Sequence, residues 1–142
     1  MTFRYLAAPG PLELTFGVRL WAFEPGHSKL LLRGFSDPES EDGQTIVDVV
    51  FSNVTRMRLD AGYPGLMVRV AEESDAIPQA EIGRTFTDDK VYAVNPGPRY
   101  GFVVAERVDW ATLDIQGHEP SPLLAEDTAR LTDVAVGDIY WL

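Results

Sequence analysis

The stretch that decides the fold class runs over residues 12–22 and reads LELTFGVRLWA. Apolar residues occupy every second position in it, namely Leu12, Leu14, Phe16, Val18, Leu20 and Ala22. Successive side chains of a β-strand point to opposite faces, so this spacing predicts one long, half-buried strand. A turn signal at 24–27, Glu-Pro-Gly-His, follows it, and 28–35 then reads as the return strand of a hairpin.

The same period of two recurs along the chain and predicts two further hairpins. Segments 54–60 and 66–72 flank a Gly- and Pro-containing turn, and segments 90–95 and 100–108 flank Pro96-Gly97-Pro98. The pair Ser52-Asn53 interrupts the alternation after the strand that begins near residue 44. A β-bulge or a crossing from one sheet to another would explain that interruption.

The last third of the chain predicts further strands and one helix. Residues 109–115 alternate and either extend the third hairpin or begin another strand, while a short helical turn is expected around 79–82. Ser121-Pro122 is typical of a helix start, which predicts a helix over 123–131, and the apolar end 139–142 is expected to dock as a strand. The sequence therefore predicts a mainly β fold, an antiparallel β-sandwich or barrel of about eight strands with one short helix near the C-terminus, forming a single domain over 1–142.

Composition limits the partners that this chain can take. The formal net charge is -10, which repels nucleic-acid phosphates and anionic lipid headgroups, so we expect neither nucleic acid nor membrane as a partner. A basic protein is a partner that this charge permits. The chain has no cysteine, and its first ten residues lack the apolar run of a signal peptide, so a cytoplasmic location is expected by elimination.

Three charged residues are the candidate ligand-binding residues. Asp48 stands among strand residues, on the same face as Ile46 and Val50, and a partly buried carboxylate of this kind is a candidate site residue. Arg56 and Arg58 share one face of a later strand. The alternative interpretation is that Asp48 forms an ion pair with Arg56 or Arg58 across neighbouring strands.

Metal and catalytic motifs are incomplete or missing in the sequence. The loop residues Asp37, Glu39, Glu41 and Asp42 offer oxygen ligands at nearly alternate positions, but the glycine comes one position too late for an EF-hand and Asp48 replaces the closing glutamate. We therefore expect a solvated loop, no metal and no cofactor. Neither a nucleophile elbow nor a phosphate-binding loop is present, which favours a non-catalytic protein.

One stretch carries a resemblance to a known class of proteins. Residues 47–59, VDVVFSNVTRMRL, are similar to a strand–bulge–strand stretch in small bacterial immunity-type proteins of polymorphic toxin systems. The resemblance covers under a tenth of the chain and identifies no binding residues. It implies a bacterial protein that neutralises a toxin by binding it, without catalysis.

Three hypotheses about function follow. The first is a non-catalytic binding or interaction domain, immunity-like, whose acidic surface meets a basic protein. The alternative is a small-ligand-binding or enzymatic β-barrel with a polar pocket built from Asp48, Arg56 or Arg58. The third is a homo-oligomer whose exposed aromatic residues form the interface between subunits.

Overall fold

A computed structural model describes residues 3–36 and 45–142 and shows a mainly β protein, with 44% strand and 11% helix. The strands are β1 (Tyr5–Ala7), β2 (Leu12–Leu14), β3 (Val18–Glu24), β4 (Lys29–Phe35), β5 (Ile46–Ser52), β6 (Arg56–Arg58), β7 (Gly62–Tyr63), β8 (Leu66–Val70), β9 (Lys90–Val94), β10 (Gly101–Ala105), β11 (Arg107–Leu113) and β12 (Ile139–Trp141). The helices are a 3-10 turn at Glu73–Asp75, α1 (Gln79–Ile82) and α2 (Thr128–Val134).

The strands form two sheets. The first sheet has seven strands in the order β1-β12-β11-β5-β4-β3-β7, and the second has five in the order β2-β8-β9-β10-β6. Every pair of neighbours is antiparallel except β1 with β12, which run parallel. Within the described ranges neither sheet closes on itself.

The break at Ser52-Asn53 is a crossing between the two sheets, as one of the two sequence interpretations predicts. Strand β5 ends at Ser52 in the first sheet, and β6 begins at Arg56 in the second. Asn53 adopts a φ of 55°, and its side-chain amide donates to Glu106 at 2.6 Å. Asparagine tolerates the left-handed region better than most residues, which makes it suitable for this reversal.

The prediction of one continuous strand over 12–22 is wrong, because the structure divides it between the sheets. Strand β2 pairs with β8 in the second sheet, whereas β3 pairs with β4 in the first. The alternation continues across the break for a physical reason. Leu12 and Val18 belong to the same core cluster and Leu14 and Phe16 pack against it, so both halves direct every second side chain into one interior.

The predicted pairing of 54–60 with 66–72 is also wrong. Strand β6 pairs with β10, and β8 pairs with β2 and β9, while the intervening β7 returns to the first sheet beside β3. Alternation shows which face of a strand is buried but not which strand lies beside it. The β3–β4 and β9–β10 hairpins are confirmed.

The C-terminal helix is present but begins five residues later than predicted, at Thr128 instead of residue 123. Ser121 does cap a turn, since its hydroxyl accepts a hydrogen bond from the amide of Leu124 at 3.2 Å. Glu126 then adopts a φ of 55°, which ends that turn, and the carboxylate of Asp127 caps α2 instead. The turn at Gln79–Ile82 and the docked strand at Ile139–Trp141 are confirmed.

Two apolar clusters hold the fold together. The first draws on strands of both sheets and includes the buried residues Leu30, Leu32, Val49, Phe51, Val68, Tyr92, Val94 and Val103. The second lies between the opposite face of the first sheet and the C-terminal segment, residues 114–135, and includes Leu31, Ile46, Val50, Leu113, Leu131 and Ile139. No helix in the described ranges is long and apolar enough to cross a membrane.

Candidate binding sites

A fully buried ion pair joins Arg33 to Asp48, the first of the predicted site residues. Nε of Arg33 donates to one carboxylate oxygen at 2.7 Å and a terminal nitrogen donates to the other at 2.9 Å, and both side chains are 0% exposed. The other terminal nitrogen donates to the carbonyl oxygens of Gly117 and Glu119. The Trp21 ring lies 5.3 Å from the guanidinium carbon.

This arrangement gives Asp48 a structural role. The carboxylate is satisfied by a bidentate partner, and the same guanidinium ties the C-terminal segment to the outer face of the first sheet. The expected partners Arg56 and Arg58 do not pair with Asp48. They cannot do so because β6 lies in the other sheet, whereas Asp48 lies directly opposite Arg33 on β4.

Arg56 and Arg58 instead fasten α1 to the second sheet. Arg56 donates to the carbonyl oxygen of Glu81 at 3.0 Å, and Arg58 lies 3.4 Å from the Glu81 carboxylate and 4.5 Å from the Tyr100 ring centroid. The Tyr100 hydroxyl donates to the same carboxylate. The structure therefore separates the three predicted ligand-binding residues and gives each of them a partner within the chain.

The metal candidates Asp37, Glu39, Glu41 and Asp42 lie outside the described residues. In the part of the chain that the structure describes, no group of three or more His, Asp or Glu side chains is placed to hold a metal ion. His27 is exposed and pairs with Glu24 at 2.8 Å, an interaction that lowers the pKa of this glutamate.

A cleft of about 650 Å³ opens between the two sheets beside the connection from β1 to β2. Its volume lies in the range of small-ligand sites, roughly 300–1,000 Å³. The aromatic rings of Trp110 and Tyr140 line it and stack at 6.1 Å with an interplanar angle of 29°. Other lining residues are mostly apolar and include Pro9, Pro11, Leu12, Leu14, Val47 and Val136.

The polar residues of this cleft, which we call the aromatic cleft, are few. Thr112, Glu13 and Asp138 line it. Asp138 accepts hydrogen bonds from the exposed side chain of Arg4, and this contact lowers the pKa of the carboxyl group. Glu13 is exposed and has no ion-pair partner among the described residues. An apolar site with a small number of polar groups is suited to binding a ligand.

A second, polar groove lies on the outer face of the first sheet. Two adjoining clefts share Lys29, Ser52 and Glu126, and the ammonium group of Lys29 is bonded to the Glu126 carboxylate. In the same groove Asp109 accepts a hydrogen bond from Arg107 at 2.8 Å. Burial raises the pKa of Asp109, although Arg107 and Lys29 act in the opposite direction. Both cations of this groove, Lys29 and Arg107, are therefore paired with carboxylates of the groove itself.

An uncovered apolar surface lies on β3. Leu20 and Phe23 stand opposite Leu32 and Leu30 on β4, so they share the face of the sheet that forms the first core, yet they are 38% and 43% exposed. A β-bulge at Trp21 turns this ring toward Arg33 on the other face, where it remains 41% exposed. Within the described residues, strand β7 pairs with β3 only at Val18 and Arg19.

Sequence reasoning missed Arg33 and the Trp110–Tyr140 pair. Arg33 interrupts the apolar run of β4, and Asp48 interrupts the apolar run of β5. One isolated charge of each sign in two apolar strands could have indicated a buried ion pair. No signal of that kind was available for the two aromatic rings, because β11 and β12 are neighbours only in the folded chain.

Comparison with known proteins gives no relative. No family model, no curated protein and no solved structure matches this chain.

Proposed function

We propose that this chain is a non-catalytic binding domain, built as a β-sandwich, which takes a basic protein as its partner. The observation that carries the proposal is the exposed apolar segment of β3, in which Leu20 and Phe23 lie on one face of the sheet and Trp21 lies on the other. Aromatic and large apolar side chains supply most of the energy at protein interfaces. A core cluster that draws on both sheets supports the sandwich arrangement.

Charge indicates which partner would cover that surface. The chain carries 22 acidic and 12 basic side chains. Seven of the basic side chains already form ion pairs with carboxylates, while the exposed carboxylates of Glu13, Glu73, Asp88, Asp114 and Asp133 lie in no ion pair among the described residues. A positively charged surface would be attracted by this excess and would associate faster at low salt.

The same charge disfavours a second copy of the chain as the partner. Two copies would each carry a net charge of -10, and repulsion between like-charged chains raises the free energy of the complex. A homo-oligomer is therefore the competing outcome. It predicts that added salt strengthens association, whereas a basic partner predicts that salt weakens it.

Immunity-like neutralisation of a basic toxin in the cytoplasm is the biological form that we propose for this binding. Such a role requires a rigid surface and no catalytic group. Two sets of contacts support this form of binding. Asp48 pairs with Arg33 in the interior, and Arg56 and Arg58 contact Glu81. The charged residues predicted to bind a ligand therefore have structural roles, and the apolar side chains of β3 remain exposed.

A capture experiment with matched variants tests the proposal. The tagged chain, expressed in its source cells, is isolated at 50 mM and 300 mM salt, and bound proteins are identified by mass spectrometry. We expect a protein of basic isoelectric point that is retained at low salt and lost from a Trp21→Ala/Phe23→Ala variant. Phe86→Ala, which removes another exposed aromatic ring, is the matched control and should retain it.

Three results would overturn the proposal. The first is the recovery of no partner at low salt, and the second is an acidic partner whose retention does not change with salt. The third is a partner retained equally by the Trp21→Ala/Phe23→Ala variant. Circular dichroism and urea unfolding of each variant separate loss of binding from loss of folding, which is needed because Trp21 lies over the buried guanidinium of Arg33.

A second candidate function is the binding of a small ligand, and the aromatic cleft is the observation that favours it. Its polar groups are Thr112, Glu13 and Asp138, not the residues that the sequence suggested for a pocket. A thermal-shift screen of neutral, cationic and anionic small molecules tests this function. Stabilisation that is lost in a Tyr140→Leu variant would support it, and a screen without any stabilising compound would count against it.

A further inference from the structure

Two of the three tryptophans in this chain hold a cation over the ring, and the third does not. Arg33 lies over Trp21, and Arg107 lies 4.9 Å from the centroid of Trp141. Tyr100 and Phe86 hold arginines in the same way. Within the described residues no arginine or lysine lies over Trp110 or Tyr140, which are the two rings that line the aromatic cleft.

The surroundings of these two rings suit a flat cation. The cleft has room for a side chain, its walls are largely apolar, and no lysine or arginine lines it. Of its two carboxylates, Asp138 is paired with Arg4, whereas Glu13 is exposed and lies in no ion pair among the described residues. An aromatic face attracts a cation most strongly where water is partly excluded, and a nearby carboxylate adds to the attraction. The overall charge of the chain works in the same direction and opposes the binding of anions.

We propose that the aromatic cleft is the subsite for an arginine side chain of the basic partner, with the guanidinium lying against Trp110 and Tyr140 and close to Glu13. This inference rests on the proposed function, because it names the group by which that partner would be recognised. Arginine fits better than lysine, since its planar, weakly hydrated guanidinium stacks on aromatic faces and its five donors can reach a carboxylate and the Thr112 hydroxyl together.

The test uses a defined probe and needs no partner. N-acetyl-arginine amide is titrated into the ¹⁵N-labelled chain, and the three tryptophan indole N–H signals are followed by NMR. We expect the Trp110 signal to move in a saturable way while the signals of Trp21 and Trp141 stay in place. N-acetyl-citrulline amide, the neutral counterpart of the same shape, should bind at least about tenfold more weakly if the cation is what is recognised.

Variants then assign the site. Tyr140→Leu should weaken the arginine probe several-fold, and Glu13→Gln should weaken it while leaving the citrulline probe unchanged. Tyr5→Leu is the matched control, because Tyr5 is an exposed aromatic residue on the neighbouring strand that does not line the cleft. Because Trp110 packs against the core, Tyr140→Leu carries the test if a Trp110 variant fails to fold.

The possible results separate this inference from the proposed function. Equal binding of the arginine and citrulline probes, or equal shifts of all three indole signals, overturns the inference. Tighter binding of N-acetyl-lysine amide than of the arginine probe also overturns it. If the probe binds as expected but capture recovers no basic protein, the subsite stands and the proposed function fails. If a basic protein is captured equally well by wild type and Tyr140→Leu, the function stands and the subsite fails.

Discussion

Replacement of Asp48 by asparagine is the most informative single perturbation of the fold. The change preserves the size of the side chain but removes its charge, so the guanidinium of Arg33 remains buried without a counter-ion. Of the two hydrogen bonds from Arg33, at 2.7 and 2.9 Å, one can still reach the amide oxygen, and the other is lost because the amide nitrogen is a donor. The carbonyl oxygens of Gly117 and Glu119 still accept from Arg33 but cannot balance its charge.

The expected loss of stability follows from this geometry. Removing one partner of a buried ion pair costs about 3–5 kcal/mol, because an uncompensated charge stays in the interior. For a chain of this size that loss corresponds to a melting temperature lower by about 10–15 °C. Urea unfolding of wild type and Asp48→Asn, followed by circular dichroism, measures the free-energy difference directly.

Two further variants make the reasoning refutable. Arg33→Met combined with Asp48→Leu removes both charges and should be more stable than either single variant. Arg4→Ala breaks the exposed pair with Asp138 and should shift the urea midpoint much less than Asp48→Asn does, because solvent screens an exposed pair. A cost below about 1 kcal/mol for Asp48→Asn, or a double variant no better than the singles, would show that the pair does not hold the C-terminal segment in place.

Three more predictions concern pH and backbone conformation. Burial raises the pKa of Tyr92 to about 12. The stability contributed by its protonated hydroxyl is therefore complete below the ordinary tyrosine pKa of about 10 and is lost as pH rises through about 12. Absorbance at alkaline pH should show one tyrosine ionising late, together with unfolding. The pKa of Asp109 is also raised by burial. The stability contributed by its protonated carboxyl group is therefore complete below the ordinary aspartate pKa of about 3.9 and is lost as pH rises through the pKa of the folded state. Asp109→Asn should therefore stabilise most at neutral pH, with a gain in the urea midpoint that shrinks on acidification; an equal gain at all pH values would contradict this. Gly83 has a φ of 70°, a conformation that residues with a Cβ rarely adopt, so Gly83→Ala should cost about 1–3 kcal/mol in urea unfolding. A neutral effect would show that this turn is not strained.

The sequence predicts the local elements well and their partners poorly. Alternation with turn residues is sufficient to find the β3–β4 and β9–β10 hairpins, because their strands are joined by short turns. It fails for β2 and β3, where one pattern spans two sheets that share an interior. It fails again for β6, whose neighbour β10 lies more than forty residues away in the chain. Long-range pairing of this kind depends on the whole set of strands and leaves no local pattern.

The candidate site was predicted less well than the fold, for a related reason. Asp48 is a buried charge, as its position between valines suggests, but its partner Arg33 could be identified only once β4 and β5 were known to be neighbours. The aromatic cleft depends on the adjacency of β11 and β12 and on the segment 8–11 that connects the two sheets. The abundance of aromatic residues is visible in the sequence, but which of them stay exposed is decided by packing.

The salt dependence of affinity for the captured partner tests the central claim most directly. The chain and its partner are purified, and their dissociation constant is measured by isothermal titration calorimetry at 50 and 500 mM sodium chloride. An acidic surface that meets a basic protein predicts affinity at least about tenfold weaker at the higher salt, mostly through slower association. Affinity that is unchanged or stronger at high salt would contradict a charge-selected partner and would favour a purely apolar interface with that partner.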